Sequence, residues 1–121
     1  EATVAAMEAL GARRAHMAAV VGPAIGQASY EVGPEFPRPF LDQDDANGAR
    51  FSPAARDGHF LFDLAGYVRD RLGKCGLARI ADTGHDTCSE DAILFSYRRS
   101  CLRGEVDFGR GLSAIVLDGE Q

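Results

Sequence analysis

Apolar positions along the chain follow two rhythms. Val4, Met7 and Leu10 recur at helical spacing in an alanine-rich stretch closed by Gly11, which predicts a first helix. Met17-Ala18-Ala19-Val20-Val21 is instead a continuous apolar run stopped by Gly22-Pro23, the pattern of a short strand buried on both faces inside a sheet. Between Tyr30 and Leu41, Gly33-Pro34 offers a helix start while Pro37 and Pro39 remove backbone donors, so a short or broken helix is expected. Asp42 to Gly58 is polar and reads as an exposed loop, with a turn at Pro53 to Arg56. The clearest helix follows Asp63, which caps it, while Leu64, Val68 and Leu72 line one face and Gly76 stops it. Leu77 to Ala81 reads as a second strand, Asp82 to Asp91 as the polar loop after its end, and Leu112 to Leu117 as a closing strand. Helices alternating with strands predict an α/β fold, a mixed sheet with flanking helices, in one unit over residues 1–121.

Composition narrows the function classes. An apolar content of 45% in 121 residues is enough for one core. A net charge of -5 argues against nucleic acid, which needs a concentrated basic surface. No apolar run reaches membrane-spanning length and no charged-then-apolar leader precedes the first helix, so no membrane partner is expected. Cys75, Cys88 and Cys101 form an odd count without a Cys-x-x-Cys pair, which fits unpaired thiols in a reducing cytoplasm better than a disulfide framework.

Candidate chemistry is sparse. Asp82, His85, Asp86 and Cys88 are the one local cluster of metal-ligand types, yet their spacing matches no dedicated zinc motif. Their loop follows a strand end, where α/β folds place ligand contacts. His16 and His59 each begin an apolar run and read as strand-edge or capping residues. Gly22 and Gly26 lack the continuation of a P-loop and the spacing of a Rossmann turn, so close backbone packing explains them more simply. Ser29 has no Gly-x-Ser-x-Gly context and is not read as a hydrolase nucleophile. In Phe95-Ser96-Tyr97-Arg98-Arg99, two adjacent guanidiniums follow an apolar run. Such forks either clamp an anionic substrate or pair with an internal acid, and the sequence leaves both open.

These pieces occur in a distinctive order: Val21 to Gly26, Gln27-Ala28-Ser29 leading to Tyr30-Glu31-Val32-Gly33, Phe62-Asp63-Leu64, Phe95 to Arg99, and Gly109-Arg110-Gly111. The order resembles the C-terminal half of the laccase-domain family, also called YfiH-type polyphenol oxidases or purine nucleoside phosphorylases. The resemblance implies the mixed sheet and flanking helices of the YfiH-like fold, with residues 1–121 as the C-terminal portion of one such domain and its N-terminal half absent. Glu1-Ala2-Thr3-Val4 looks like the helix that follows the family's Ala-His-Ala-Gly-Trp-Arg-Gly stretch, which this sequence lacks.

For the intact protein, the resemblance implies a metal-dependent purine nucleoside phosphorylase acting on adenosine or inosine with phosphate, and adenosine deamination beside it. Zinc or copper would be held by two His and one Cys outside this chain, so no metal ligand and no catalytic residue is assigned within it. Arg98 and Arg99 are the substrate-binding candidates, toward phosphate. Peptidoglycan-editing hydrolysis and copper-dependent phenol oxidation are alternatives within the same resemblance, and a non-catalytic α/β interaction module is an alternative from another class. Two departures stand out: the family's usual Cys-Thr pair reads Asp86-Thr87, and an insert from Ser100 to Phe108 precedes Gly109-Arg110. The resemblance fixes no oligomeric state.

Overall fold

Two small sheets organise residues 1–119, the part that the computed structural model describes. Helix α1 (Ala2–Ala9) ends where Gly11 takes a φ of +99°, a left-handed conformation that a side chain would strain. A single 3-10 turn (Arg14–His16) leads into β1 (Ala18–Val21), which pairs in parallel with β5 (Arg79–Asp82), from Ala18 opposite Arg79 to Val21 opposite Asp82. Helix α3 (Leu64–Lys74) lies against both strands. The continuous apolar run of β1 predicts burial on both faces, and the structure corrects this. Val21 is buried, but Ala18 and Val20 are exposed, so the strand alternates as one covered by α3 on a single face does.

The second sheet is antiparallel, in the order β2 (Glu31–Val32), β4 (Phe60–Phe62), β3 (Phe51–Pro53). Its core is aromatic. Phe62, only 2% exposed, stacks on Phe51 at 4.7 Å between ring centres and meets Phe40 at 4.9 Å, Phe36 at 5.4 Å and Tyr30 at 5.6 Å. Tyr67 of α3 closes the cluster, edge-on to Phe40 at 4.9 Å. Beside it, the Arg50 guanidinium forks onto both oxygens of Asp70 at 2.7 Å and reaches Asp63 at 3.2 Å, tying the approach to β3 to the start and middle of α3. Asp63 also accepts from the amide of Gly66, as its capping role predicts.

Three expectations shift here. The helix expected from Gly33-Pro34 starts later, as α2 (Arg38–Gln43), with Pro39 in its first turn where a missing N–H costs no bond, and β2 occupies the stretch before it. The loop expected from Asp42 to Gly58 holds a 3-10 helix (Asp45–Arg50) and β3, and its Asn47 is buried at 4% exposure, donating to the carbonyl of Phe40 at 2.8 Å. The closing strand expected at Leu112 to Leu117 does not form. Residues 104–119 have no regular structure and expose Leu112, Ile115, Val116 and Leu117, since an apolar run becomes a strand only where a neighbour offers a ladder.

A helix that the apolar rhythm does not announce, α4 (Tyr97–Arg103), occupies the two-arginine motif. Ser96 caps it by accepting from the Arg99 amide, and Gly104 at φ +69° ends it. The following segment returns onto this helix: Phe108 packs edge-on against Tyr97 at 4.9 Å, Arg110 covers Phe108 at 4.4 Å, and the Phe95 ring lies where a side chain on Gly109 would have to go. Among the described residues, no helix is long and apolar enough to cross a membrane.

Candidate functional site

The loops that leave β1 and β5 emerge side by side, because parallel strands release their chains at the same edge. They are laced together. Ala24 and Asp86 form a lone parallel bridge, with the Ala24 amide donating to the His85 carbonyl at 3.3 Å and the Thr87 amide donating to the Ala24 carbonyl at 3.0 Å. The Asp86 carboxylate completes the join. Oδ2 accepts from Ser29 Oγ at 2.6 Å, and Oδ1 accepts from the Cys88 amide at 2.8 Å and the Ser89 amide at 3.4 Å. Burial opposes the charged carboxylate. The bonds from Ser29 and from the Gly26, Cys88 and Ser89 amides outweigh it and hold Asp86 below the usual carboxylate range.

This contact explains Gly26. A Cβ there would lie 2.6 Å from Asp86 Oδ2, far inside van der Waals contact, so the glycine admits the carboxylate to the backbone. The expectation of close packing thus holds for Gly26, and a Cβ at Gly22 would stand 3.3 Å from Ser113 Oγ. Ser29 is a structural donor within the brace, in keeping with its lack of a nucleophile motif.

His85 stands on the same loop and is exposed, its Nδ1 2.9 Å from Glu90 Oε1, while Glu90 Oε2 accepts from the Asp86 amide at 2.6 Å. The His85 bond draws Glu90 below the ordinary carboxylate range, against a partial burial that raises it. Asp82 turns away and accepts from the Gly84 amide, and Cys88 is a free thiol. His16 ends the 3-10 turn before β1 and His59 precedes β4, held between Arg56 and the Asp57 carbonyl. Among the described residues, no three His, Cys, Asp or Glu side chains converge to hold a metal. The donors therefore do not fit a zinc or copper centre, which needs three or four ligands on one point.

The two arginines part company on α4. Arg99 turns back onto the loop from β5 and donates to three carbonyls, of Thr87 at 2.7 Å, Cys88 at 3.3 Å and Leu94 at 2.6 Å. Its partners are backbone oxygens, not the internal acid that the sequence offered as one option. Arg98 reaches the other way, donates to the Glu31 carbonyl of β2 at 3.1 Å and sets its guanidinium 5.5 Å from the centre of the Tyr30 ring. Tyr30 directly follows Ser29, so Arg98 stands at the end of the braced loop. Around α4, Phe95, Ser96, Arg99, Arg103, Phe108 and Gly109 line a shallow cleft of about 290 Å³, with Arg103 paired to Asp91 at 2.7 Å.

What the site offers chemically is one half-buried cation on an aromatic wall, a His–Glu pair, and two loops held in fixed relation. Sequence reasoning singled out Arg98, Arg99, His85 and Asp86 but missed Glu90 and the partnership of Ser29 with Asp86. The latter spans 57 residues and carries no local signal.

Comparison with known proteins gives a consistent result. The family model described as multi-copper polyphenol oxidoreductase laccase matches residues 1–118. A purine nucleoside phosphorylase of Rickettsia conorii is 36% identical over 102 residues, which cover 84% of this chain and 42% of that protein. A purine nucleoside phosphorylase of Pseudomonas aeruginosa is 36% identical over 104 residues, 86% of this chain and 42% of that one. The purine nucleoside phosphorylase YfiH of Escherichia coli is 33% identical over 86 residues, 71% of this chain and 35% of it. Among solved structures, protein NMB0706 of Neisseria meningitidis superposes with a TM-score of 0.70 at 29% identity, covering 80% of this chain and 40% of that one. The chain thus spans about two-fifths of the length of the first relatives it matches.

Proposed function

Because the chain belongs to the multi-copper polyphenol oxidoreductase laccase family, we propose that the whole protein of which these residues are the matched part is a purine nucleoside phosphorylase. The observation that carries this reading is the match of more than four-fifths of the chain to proteins named for that activity. In phosphorolysis a phosphate oxygen forms a bond to the ribose C1′ as the C1′–N9 bond breaks. The base leaves with the bonding electrons and takes up a proton. The site must then hold a polyanion beside a sugar that gains positive charge.

Arg98 is the better placed of the two arginines for phosphate. It commits a single bond to a carbonyl and rests against Tyr30, which keeps its planar fork oriented, whereas Arg99 is anchored on three carbonyls. Arg99 would act by keeping the loop of His85 and Asp86 in place. The family description also implies a metal, and in this reading its ligands come from outside these 121 residues.

The experiment is a phosphate-dependence assay on the relatives-length protein with inosine and with adenosine, following free base and ribose 1-phosphate. Base release should require phosphate, and Arg98→Ala should raise the phosphate KM about tenfold with a smaller effect on nucleoside KM, the loss expected for one charge-assisted contact. Base release that ignores phosphate would sink the phosphorylase assignment, and an unchanged phosphate KM in the variant would remove Arg98 from it. The family description favours one second reading, oxidation of phenols by bound copper. Oxygen uptake on phenols with no nucleoside turnover would establish that reading instead.

A further inference from the structure

We infer that His85 supplies the proton that the purine takes up as it leaves, with Glu90 fixing the ring that gives it; the inference rests on the phosphorylase reading and deepens it. The C1′–N9 bond breaks with both electrons going to the base, and a purine anion leaves poorly until a proton reaches its imidazole ring. The donor must stand at the mouth of the site, with its ring orientation fixed and a proton on an outward-facing atom. His85 meets all three conditions. Strand β5 ends at Asp82, whose carboxylate accepts from the Gly84 amide at 2.8 Å, and Gly84 turns the chain at φ +72°. His85 therefore comes up just beyond the carboxyl end of a parallel strand, where α/β sheets bind ligands. Its carbonyl accepts from the Ala24 amide, and the adjoining Asp86 is bonded to Ser29, which directly precedes the Tyr30 that carries Arg98. The proton donor and the phosphate-holding arginine thus belong to one braced unit.

Glu90 sets the ring. One of its oxygens is held by the Asp86 amide at 2.6 Å, and the other lies 2.9 Å from His85 Nδ1. A carboxylate only accepts, so the proton between them sits on Nδ1. Nε2, which makes no hydrogen bond among the described residues, is left as the outward donor. The side chain is 46% exposed, which lets water recharge it after each turnover. The step balances: the Nε2–H bond breaks, its electron pair stays on the imidazole, and the proton goes to N7 of the departing base. The phosphate oxygen ends bonded to C1′, and ribose 1-phosphate returns a proton to solvent, from which His85 is reprotonated.

The test compares inosine with 7-methylinosine, each with phosphate, in the whole protein. The methylated imidazole ring is already positive, so its base departs without needing a proton. His85→Gln should lower kcat for inosine about a hundredfold, the lower end of general-acid contributions, and kcat for 7-methylinosine less than about threefold, with the phosphate KM unchanged. Glu90→Gln should show the same selective loss at about tenfold, since the ring keeps its proton donor but not its fixed orientation. Retained turnover of the methylated nucleoside shows that the variants fold. Equal losses on the two nucleosides would make His85 a structural residue and overturn the role, as would an unchanged kcat for inosine. Wild-type base release that ignores phosphate would instead overturn the phosphorylase reading and this role with it, a result visible before any substitution is made.

Discussion

Asp86 shows how one carboxylate replaces many weaker contacts. It joins loops that are far apart in sequence through Ser29 Oγ and successive amides, and it does so as an anion. Because its folded pKa lies below the ordinary value of about 3.9, the stability it contributes is fully present above that value and is lost as pH falls through the lowered one. Other carboxylates, such as Asp70 beside Arg50, are lowered as well, so acid weakens the whole protein; the share due to Asp86 is the difference between wild type and Asp86→Asn. Thermal melting followed from neutral pH to below about pH 4 should show the variant less stable at neutral pH, the gap narrowing as acid protonates the wild-type carboxylate. A gap independent of pH would mean that shape, not charge, holds the loops.

At the scale of elements, local signals were legible and long-range ones were not. Asp63 announced α3 through its side chain, Gly11 and Gly76 marked helix ends by their left-handed backbone, and the apolar run before Gly22 located β1. By contrast β2, β3 and β4 are two or three residues long, too short for a period to show, and exist through their cross-strand partners and the aromatic rings between them. Leu112 to Leu117 is the converse, a strand-like run without a partner. Of the candidate site, the charged residues were readable from their types, whereas what each one touches depends on folding: Arg98 and Arg99 are neighbours in sequence with opposite attachments. Helix α4 did carry a readable signal in Ser96, a capping residue just before the arginines. Ser96→Ala should cost about 1 kcal/mol in urea unfolding and loosen both arginines, read as faster exchange at the amides of residues 97–100. An unaltered midpoint would show that packing of Tyr97 on Phe108 holds the helix without its cap.

The whole molecule rests on unequal halves. One is the aromatic cluster, in which half-buried rings enclose a buried Phe62. The other is the β1–β5 pair, covered on one side. Phe62→Ala should therefore cost about 3–5 kcal/mol, as expected for emptying a fully enclosed ring site, and unfolding monitored by the near-ultraviolet signal of Tyr30 and Tyr67 checks it. A loss near 1 kcal/mol would mean the cluster collapses easily around the gap. The aromatic half has a further property, since every ring in it comes from the continuous stretch between Tyr30 and Tyr67, whereas β1 must wait for β5, some 60 positions later. Contacts close along the chain form early and distant parallel pairings form late. The connectivity therefore predicts an order of assembly, with the phenylalanine cluster forming first and the loops that carry Asp86 and Ser29 joining after it, which φ-values from conservative substitutions in the two halves would check.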